Sequence, residues 1–115
     1  MKCALRKDGE TAVLTLDGKL SLGPAVEEFR ARWSDALSTG SRNVVINLGA
    51  VPSMDSSGIG SLIRCHSAVL AAGGKMRLVG AGSVVKQALK VTRLDKVFEF
   101  YDTEESALSS LKASA

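Results

Sequence analysis

The chain has 115 residues, a formal charge of +3 and 45% apolar residues. That length predicts one domain over residues 1–115, with enough chain to build a single hydrophobic core. The apolar content argues against disorder. The lack of any run of about 18 apolar residues argues against a membrane-spanning helix. Lysines and arginines dispersed without interleaved aromatics argue against direct nucleic-acid binding. Residues 1–11 lack the apolar core of a signal peptide. Cys3 and Cys65 form no CxxC pair and no disulfide framework, so a reducing, cytoplasmic setting is expected.

Taken in chain order, residues 4–6 and 12–16 read as strands flanking a turn at Asp8-Gly9. Gly18 and Gly23-Pro24 punctuate a loop, and Pro24 suits the first turn of a helix. That helix carries Val26, Phe29, Trp33, Ala36 and Leu37 at core-facing spacing, with Gly40 as its stop. Residues 44–48, Val-Val-Ile-Asn-Leu, predict a buried strand. A second helix follows to about Ala72, with Ile59, Leu62, Ile63, Val69 and Leu70 as its apolar positions and Gly73-Gly74 as its end. Residues 75–79 predict another strand. Ser83 is a candidate cap for a third helix holding Val84, Val85, Ala88 and Leu89. Residues 97–101 predict a short extended segment. Thr103 and Ser106 open a last helix with Glu104 and Glu105 in its first turn and Ala107, Leu108 and Leu111 inside it. Residues 112–115 are expected to fray. Strands alternating with helices predict an α/β domain with a mixed, mostly parallel sheet, the opening hairpin antiparallel, and helices mainly on one face.

Several patterns fail as sites. Gly80-Ala81-Gly82 follows a strand and precedes a helix, but Val85 stands where a dinucleotide fingerprint needs a small residue. Gly74-Lys75 is followed by Met76, so there is no Walker loop, and no G-x-S-x-G elbow is present. His66, the only histidine, has no acidic partners at metal-binding spacing. Lys86, Lys90 and Arg93 fall at i, i+4 and i+7; they read either as a solvated face or as a docking patch for an acidic partner.

The informative stretch is Met54-Asp55-Ser56-Ser57-Gly58-Ile59-Gly60, where a loop leaves a strand and enters a helix. A helix N-terminus offers unpaired N–H groups and the positive end of the macrodipole, a favourable place for a phosphate. Two readings are open. Asp and Ser are favoured caps. Yet three small polar residues exceed what one cap requires, which leaves a serine for another protein to act upon. A catalytic serine is disfavoured because no base or oxyanion partner can be assembled.

These residues resemble the STAS-domain anti-sigma-factor antagonists. The resemblance runs over nearly the whole chain and is strongest at 44–48 and 54–60. Gly73-Gly74, residues 91–98 and residues 102–107 are also similar to that family. The resemblance implies that Ser56 is phosphorylated by a partner serine kinase that is itself the anti-sigma factor. The unphosphorylated protein binds that partner and frees the sigma factor; phosphorylation breaks the complex. It implies a partner switch and no enzyme, with no cofactor, metal or small-molecule substrate, ATP belonging to the kinase. The expected partner-binding residues are Ser21, Asp55, Ser56, Ser57, Gly58 and Arg64, on the loops 20–24 and 53–58 and the exposed face of the second helix. In this reading Asp55 shapes the loop and contacts the partner, Ser57 caps the helix, and Gly58 permits a close turn. Two departures from the family stand out. Residues 18–21 read Gly-Lys-Leu-Ser where Gly-Glu-Leu-Asp is usual, so Ser21 replaces an aspartate and Lys19 a glutamate. Arg93 stands where a glycine is frequent and is expected to alter the local turn. The alternatives are a STAS scaffold or transport-associated domain that is not switched by phosphate, and a small nucleotide-binding or hydrolytic domain resting only on Gly80-Ala81-Gly82.

Overall fold

The computed structural model describes residues 1–113. Five strands and four helices alternate: β1 (Lys2–Asp8), β2 (Thr11–Asp17), α1 (Pro24–Ser38), β3 (Asn43–Ala50), α2 (Ser56–Ala71), β4 (Met76–Val79), α3 (Ser83–Val91), β5 (Glu99–Tyr101) and α4 (Glu104–Ala113). A short 3-10 turn, Leu94–Lys96, links α3 to β5. The strands lie in sequence order, with β1 antiparallel to β2 and every later pair parallel.

The two-residue period of the strands sorts the core. Leu14, Leu16, Val44, Ile46, Leu48, Met76 and Leu78 point to one face, where they meet Phe29 and Trp33 of α1, Leu62, Cys65 and Val69 of α2, and Val85 and Leu89 of α3. The intervening Val13, Val45 and Val79 point to the other face and meet Ala107 and Leu111 of α4. Three helices thus cover one face and one helix the other, which is why the central strands read as continuous apolar runs. Phe29 is fully buried, a burial that contributes ~1.5–3 kcal/mol. Across the second face Glu104 accepts from Arg6 and from Asn47 Nδ2, both at 2.8 Å, fastening the start of α4 to β1 and β3. Neither cysteine is paired, and burial pushes the Cys3 thiol up to about 11 and the Cys65 thiol up to about 12.

Several expectations need correction. Ser83 is the first residue of α3 rather than its cap; Gly82 holds the cap position without a side-chain bond. Val84 is 59% exposed, because α3 buries the stripe of Val85 and Leu89. Val97 lies outside β5, which begins at Glu99. Lys112 and Ala113 continue α4, while the rest of the tail expected to fray, Ser114 and Ala115, lies outside the described residues. Thr103 does cap α4, its hydroxyl accepting from the Ser106 N–H at 3.1 Å. No helix among the described residues is long and apolar enough to cross a membrane.

The third member of the basic stripe, Arg93, is not helical. It sits after α3 with φ 62° and ψ 19°, the only non-glycine residue at positive φ among the described residues. An L-side chain is strained there, and glycine is not. Arg93→Gly is therefore expected to raise unfolding stability by about 0.5–1 kcal/mol, the relieved strain exceeding the entropy added to the unfolded chain. A urea titration checks this; an unchanged or lower midpoint would count against it.

Candidate functional site

The site forms where the loops after β2 and β3 leave the sheet. The two strands are parallel neighbours, so both chains exit at the same end. A register shift between Thr15 and Asp17 places one extra residue in β3, and the two strands then end opposite each other at Asp17 and Ala50. The loops then stay joined by backbone bonds: Gly18 N–H to Ala50 O at 3.0 Å, Leu20 N–H to Ser53 O at 3.2 Å and Asp55 N–H to Leu20 O at 3.3 Å. Leu20 and Met54 form an isolated parallel bridge. Ser21 is held between Leu20 and Leu22, both of which bond the 53–55 segment. The structure thus brings Ser21 beside the loop that carries Ser56.

Asp55 makes the junction rigid. It is the N-cap of α2, and its Oδ1 accepts from the Gly58 N–H at 2.8 Å. Its Oδ2 accepts from the Leu22 N–H at 3.0 Å, reaching across to the other loop. One carboxylate both caps the helix and clamps the loops. The Leu22 N–H, and after it the Gly58 N–H, hold its carboxyl below the ordinary value. Glu104 is lowered as well, by Asn47 and then Arg6. A group whose folded pKa is depressed contributes fully above its ordinary pKa and loses that contribution as the pH falls through the folded value. For Asp55 the loss therefore begins near the ordinary value of 3.8 and continues below it. Asp55→Asn keeps a capping oxygen but not the titration. Urea midpoints at about pH 7 and about pH 3 are expected to differ less for Asp55→Asn than for the parent. An equal drop in both proteins would contradict this.

This assignment corrects the role given to Ser57. The cap is Asp55, and Ser57 lies in the first turn of α2, half-buried, so it is not the capping residue. Ser56 is the first residue of α2 and is exposed; its hydroxyl has no hydrogen-bond partner among the described residues. Gly58 is buried for a different reason from a permissive turn. A Cβ there would overlap the Leu20 carbonyl oxygen and lie 3.0 Å from the Leu20 carbonyl carbon. The glycine lets the two loops approach each other. Arg64 is exposed farther along α2, eight residues or ~12 Å from Ser56 along the axis.

The exposure of Ile63 was not foreseen, and Leu22 was expected only as part of the loop 20–24. Ile63 was placed in the core stripe but is 42% exposed, seven residues and two turns after Ser56 on the same side of the helix. Leu70, placed in the same stripe, is 54% exposed. The buried stripe is Gly58, Ser61, Leu62, Cys65 and Val69. Leu22 is 76% exposed although its N–H is tied to Asp55. Leu22 and Ile63 therefore add apolar surface around Ser56. The available signal was that α2 has more apolar positions than one buried stripe can hold.

The STAS domain family profile matches residues 2–107. A Thermotoga neapolitana protein named as an anti-sigma factor antagonist homolog is 29% identical over 80 residues, covering 70% of this chain and 71% of that protein. The fold is similar to that of the anti-sigma factor antagonist SpoIIAA in its unphosphorylated form, with a TM-score of 0.78 and 28% identity over 96% of this chain and 98% of that one. It is also similar to the Bacillus cell fate determinant SpoIIAA in the phosphorylated form, with a TM-score of 0.75 and 27% identity over 95% and 98%. With the STAS profile spanning nearly the full length, the chain belongs to the STAS domain family.

Proposed function

We propose that the protein is a cytoplasmic anti-sigma-factor antagonist. It binds an anti-sigma factor with serine kinase activity and releases the sigma factor, and phosphorylation of Ser56 ends the complex. The observation that carries this reading is the free, exposed Ser56 hydroxyl on the first turn of α2, next to an aspartate already committed as cap and clamp. A kinase can reach that hydroxyl without dismantling the helix start. The similarity to a protein known in phosphorylated and unphosphorylated forms supports the same assignment. Among the described residues no base is in hydrogen-bond contact with Ser56, and both thiols are buried with raised pKa, which favours the reading of Ser56 as a substrate residue over that of a nucleophile. The chain acts as a binding partner and as the kinase's substrate.

The partner surface in this reading comprises Ser21, Asp55, Ser56, Ser57, Gly58 and Arg64, with Leu22 and Ile63 as apolar contacts. Ser21 in place of the family's aspartate removes a negative charge from the neighbourhood of the incoming phosphate. Immobilised Ser56→Ala protein is expected to capture an ATP-binding serine kinase from the native cytoplasm. Arg64→Glu is expected to weaken that complex about tenfold, as loss and reversal of one interfacial charge does. Lys112→Glu, on the opposite face of the sheet, is expected to leave it unchanged. Calorimetry on the three proteins checks this. Equal effects at Arg64 and Lys112 would remove the surface. Capture of only a transport protein, unaffected by phosphate, would favour the unswitched scaffold reading.

A further inference from the structure

The Ser56 surface does not use the other end of the domain, where α2 ends and the parallel strands begin. Two neighbouring hollows lie there. One, of about 320 Å³, is bordered by Leu70, Lys75, Arg77, Val97 and Glu99. The other, of about 310 Å³, is bordered by Lys90, Arg93, Asp95 and Lys96. Lys96 of the second hollow and Val97 of the first are consecutive in the chain. Leu70 lies ~20 Å along the α2 axis from Ser56.

The chemistry of this end is distinctive. Five cations face two carboxylates, a surplus of three, equal to the whole formal charge of +3 on the chain. None of these groups forms an ion pair among the described residues, where the two bridges are Arg6–Glu104 and Arg32–Glu28. Arg77 is oriented by donating to Ser110 at 3.1 Å. Amid the charges Leu70 is 54% exposed and Val97 is 51% exposed. Arg93 keeps a strained left-handed backbone in the wall of the second hollow. Unpaired cations around exposed aliphatic side chains complement a ligand that is acidic and partly apolar.

We propose that this end of the domain is a second docking surface, for an acidic amphipathic segment of a partner protein. Its carboxylates would lie against Lys75, Lys90, Arg93 and Lys96, and its apolar side chains on Leu70 and Val97. An anionic membrane fits less well. The surface is concave, no Trp, Tyr or Phe borders either hollow among the described residues, and Asp95 and Glu99 would face the headgroups. A peptide can offer Asp95 a backbone N–H. Because this surface is remote from Ser56, both ends can be occupied together, and phosphate at Ser56 leaves the second one unaffected.

The test uses the full chain and a fluorescein-labelled peptide repeating Glu-Glu-Leu, with a Lys-Lys-Leu peptide as control, read by anisotropy at rising salt. Saturable binding of the acidic peptide is expected, weakening with salt. Lys90→Glu/Lys96→Glu is expected to lower affinity about tenfold, and Leu70→Ser several-fold, with unchanged circular dichroism. Ser56→Asp is expected to change nothing. No saturable binding, equal binding of the control peptide, or an undiminished affinity in the folded double variant would overturn the proposal. So would binding of phosphatidylserine vesicles that the acidic peptide fails to displace.

Discussion

Ser56→Asp is expected to bind the anti-sigma partner at least a hundredfold more weakly than the parent while remaining folded. Two local effects of negative charge at position 56 nearly cancel. The start of α2 favours it by ~0.3–1 kcal/mol, since the helix offers its positive end there. Asp55, one residue away and ionised, opposes it. Far-ultraviolet circular dichroism and the urea midpoint are therefore expected to change little. The partner interface is different. In the proposed complex an uncharged hydroxyl would become a desolvated anion, a cost of several kcal/mol. Each ~1.4 kcal/mol is tenfold in affinity, so two orders of magnitude follow from a modest part of that cost. Phosphate, with about 1.5 to 2 negative charges, is expected to act more strongly than aspartate. Ser56→Ala removes the acceptor and keeps the neutral surface, so it is expected to stay bound in the presence of ATP.

The second large effect is structural. Gly58→Ala is expected to cost about 3 kcal/mol of unfolding stability, at the upper end of what overpacking costs. The new Cβ would strike the Leu20 carbonyl oxygen and sit 3.1 Å from Met54 Cβ. Leu20 has no freedom to retreat: its carbonyl accepts from Asp55 and its N–H donates to Ser53. Relief therefore requires separating the two loops that form the site, and partner binding is expected to fall with stability. Gly60→Ala is the control. Apart from its chain neighbours and its own helix backbone, no atom lies within 4 Å of the corresponding Cβ, and alanine in an open helical position stabilises by up to ~1 kcal/mol. Opposite signs for two glycines two residues apart in one helix would tie the effect to the Leu20 contact. Equal signs would refute it.

Much of this architecture was legible because periodicity in the strands is strict. Alternating placement of Val44, Val45 and Ile46 on opposite faces follows from their being in a strand at all. Gly73 at φ 82° and the Thr103 cap are local chemistry that the residue types announce. The helices were read less well where apolar residues exceed one stripe. Ile63 and Leu70 are as apolar as Leu62 and Val69, and only packing against the sheet separates them. The cap of α2 falls on Asp55 and not on the expected Ser57 for a similar reason. Asp, Ser and Ser are all good caps, and the choice rests on Asp55 gaining a second bond, to Leu22, from a loop thirty-three positions away. Long-range partners of that kind leave no trace in local spacing. The buried contact of Gly58 with Leu20 belongs to the same class. Arg93 was singled out only through the resemblance; its φ of 62° places it in the left-handed region that glycine occupies without strain.

The central claim is that Ser56 is the residue on which the switch acts. It is tested most directly by incubating the protein with ATP and the serine kinase captured by Ser56→Ala, then locating the phosphate by peptide fragmentation. Phosphate is predicted on Ser56 alone, with none incorporated by Ser56→Ala and normal incorporation by Ser57→Ala. Phosphate on Ser57, or undiminished incorporation in Ser56→Ala, would contradict it.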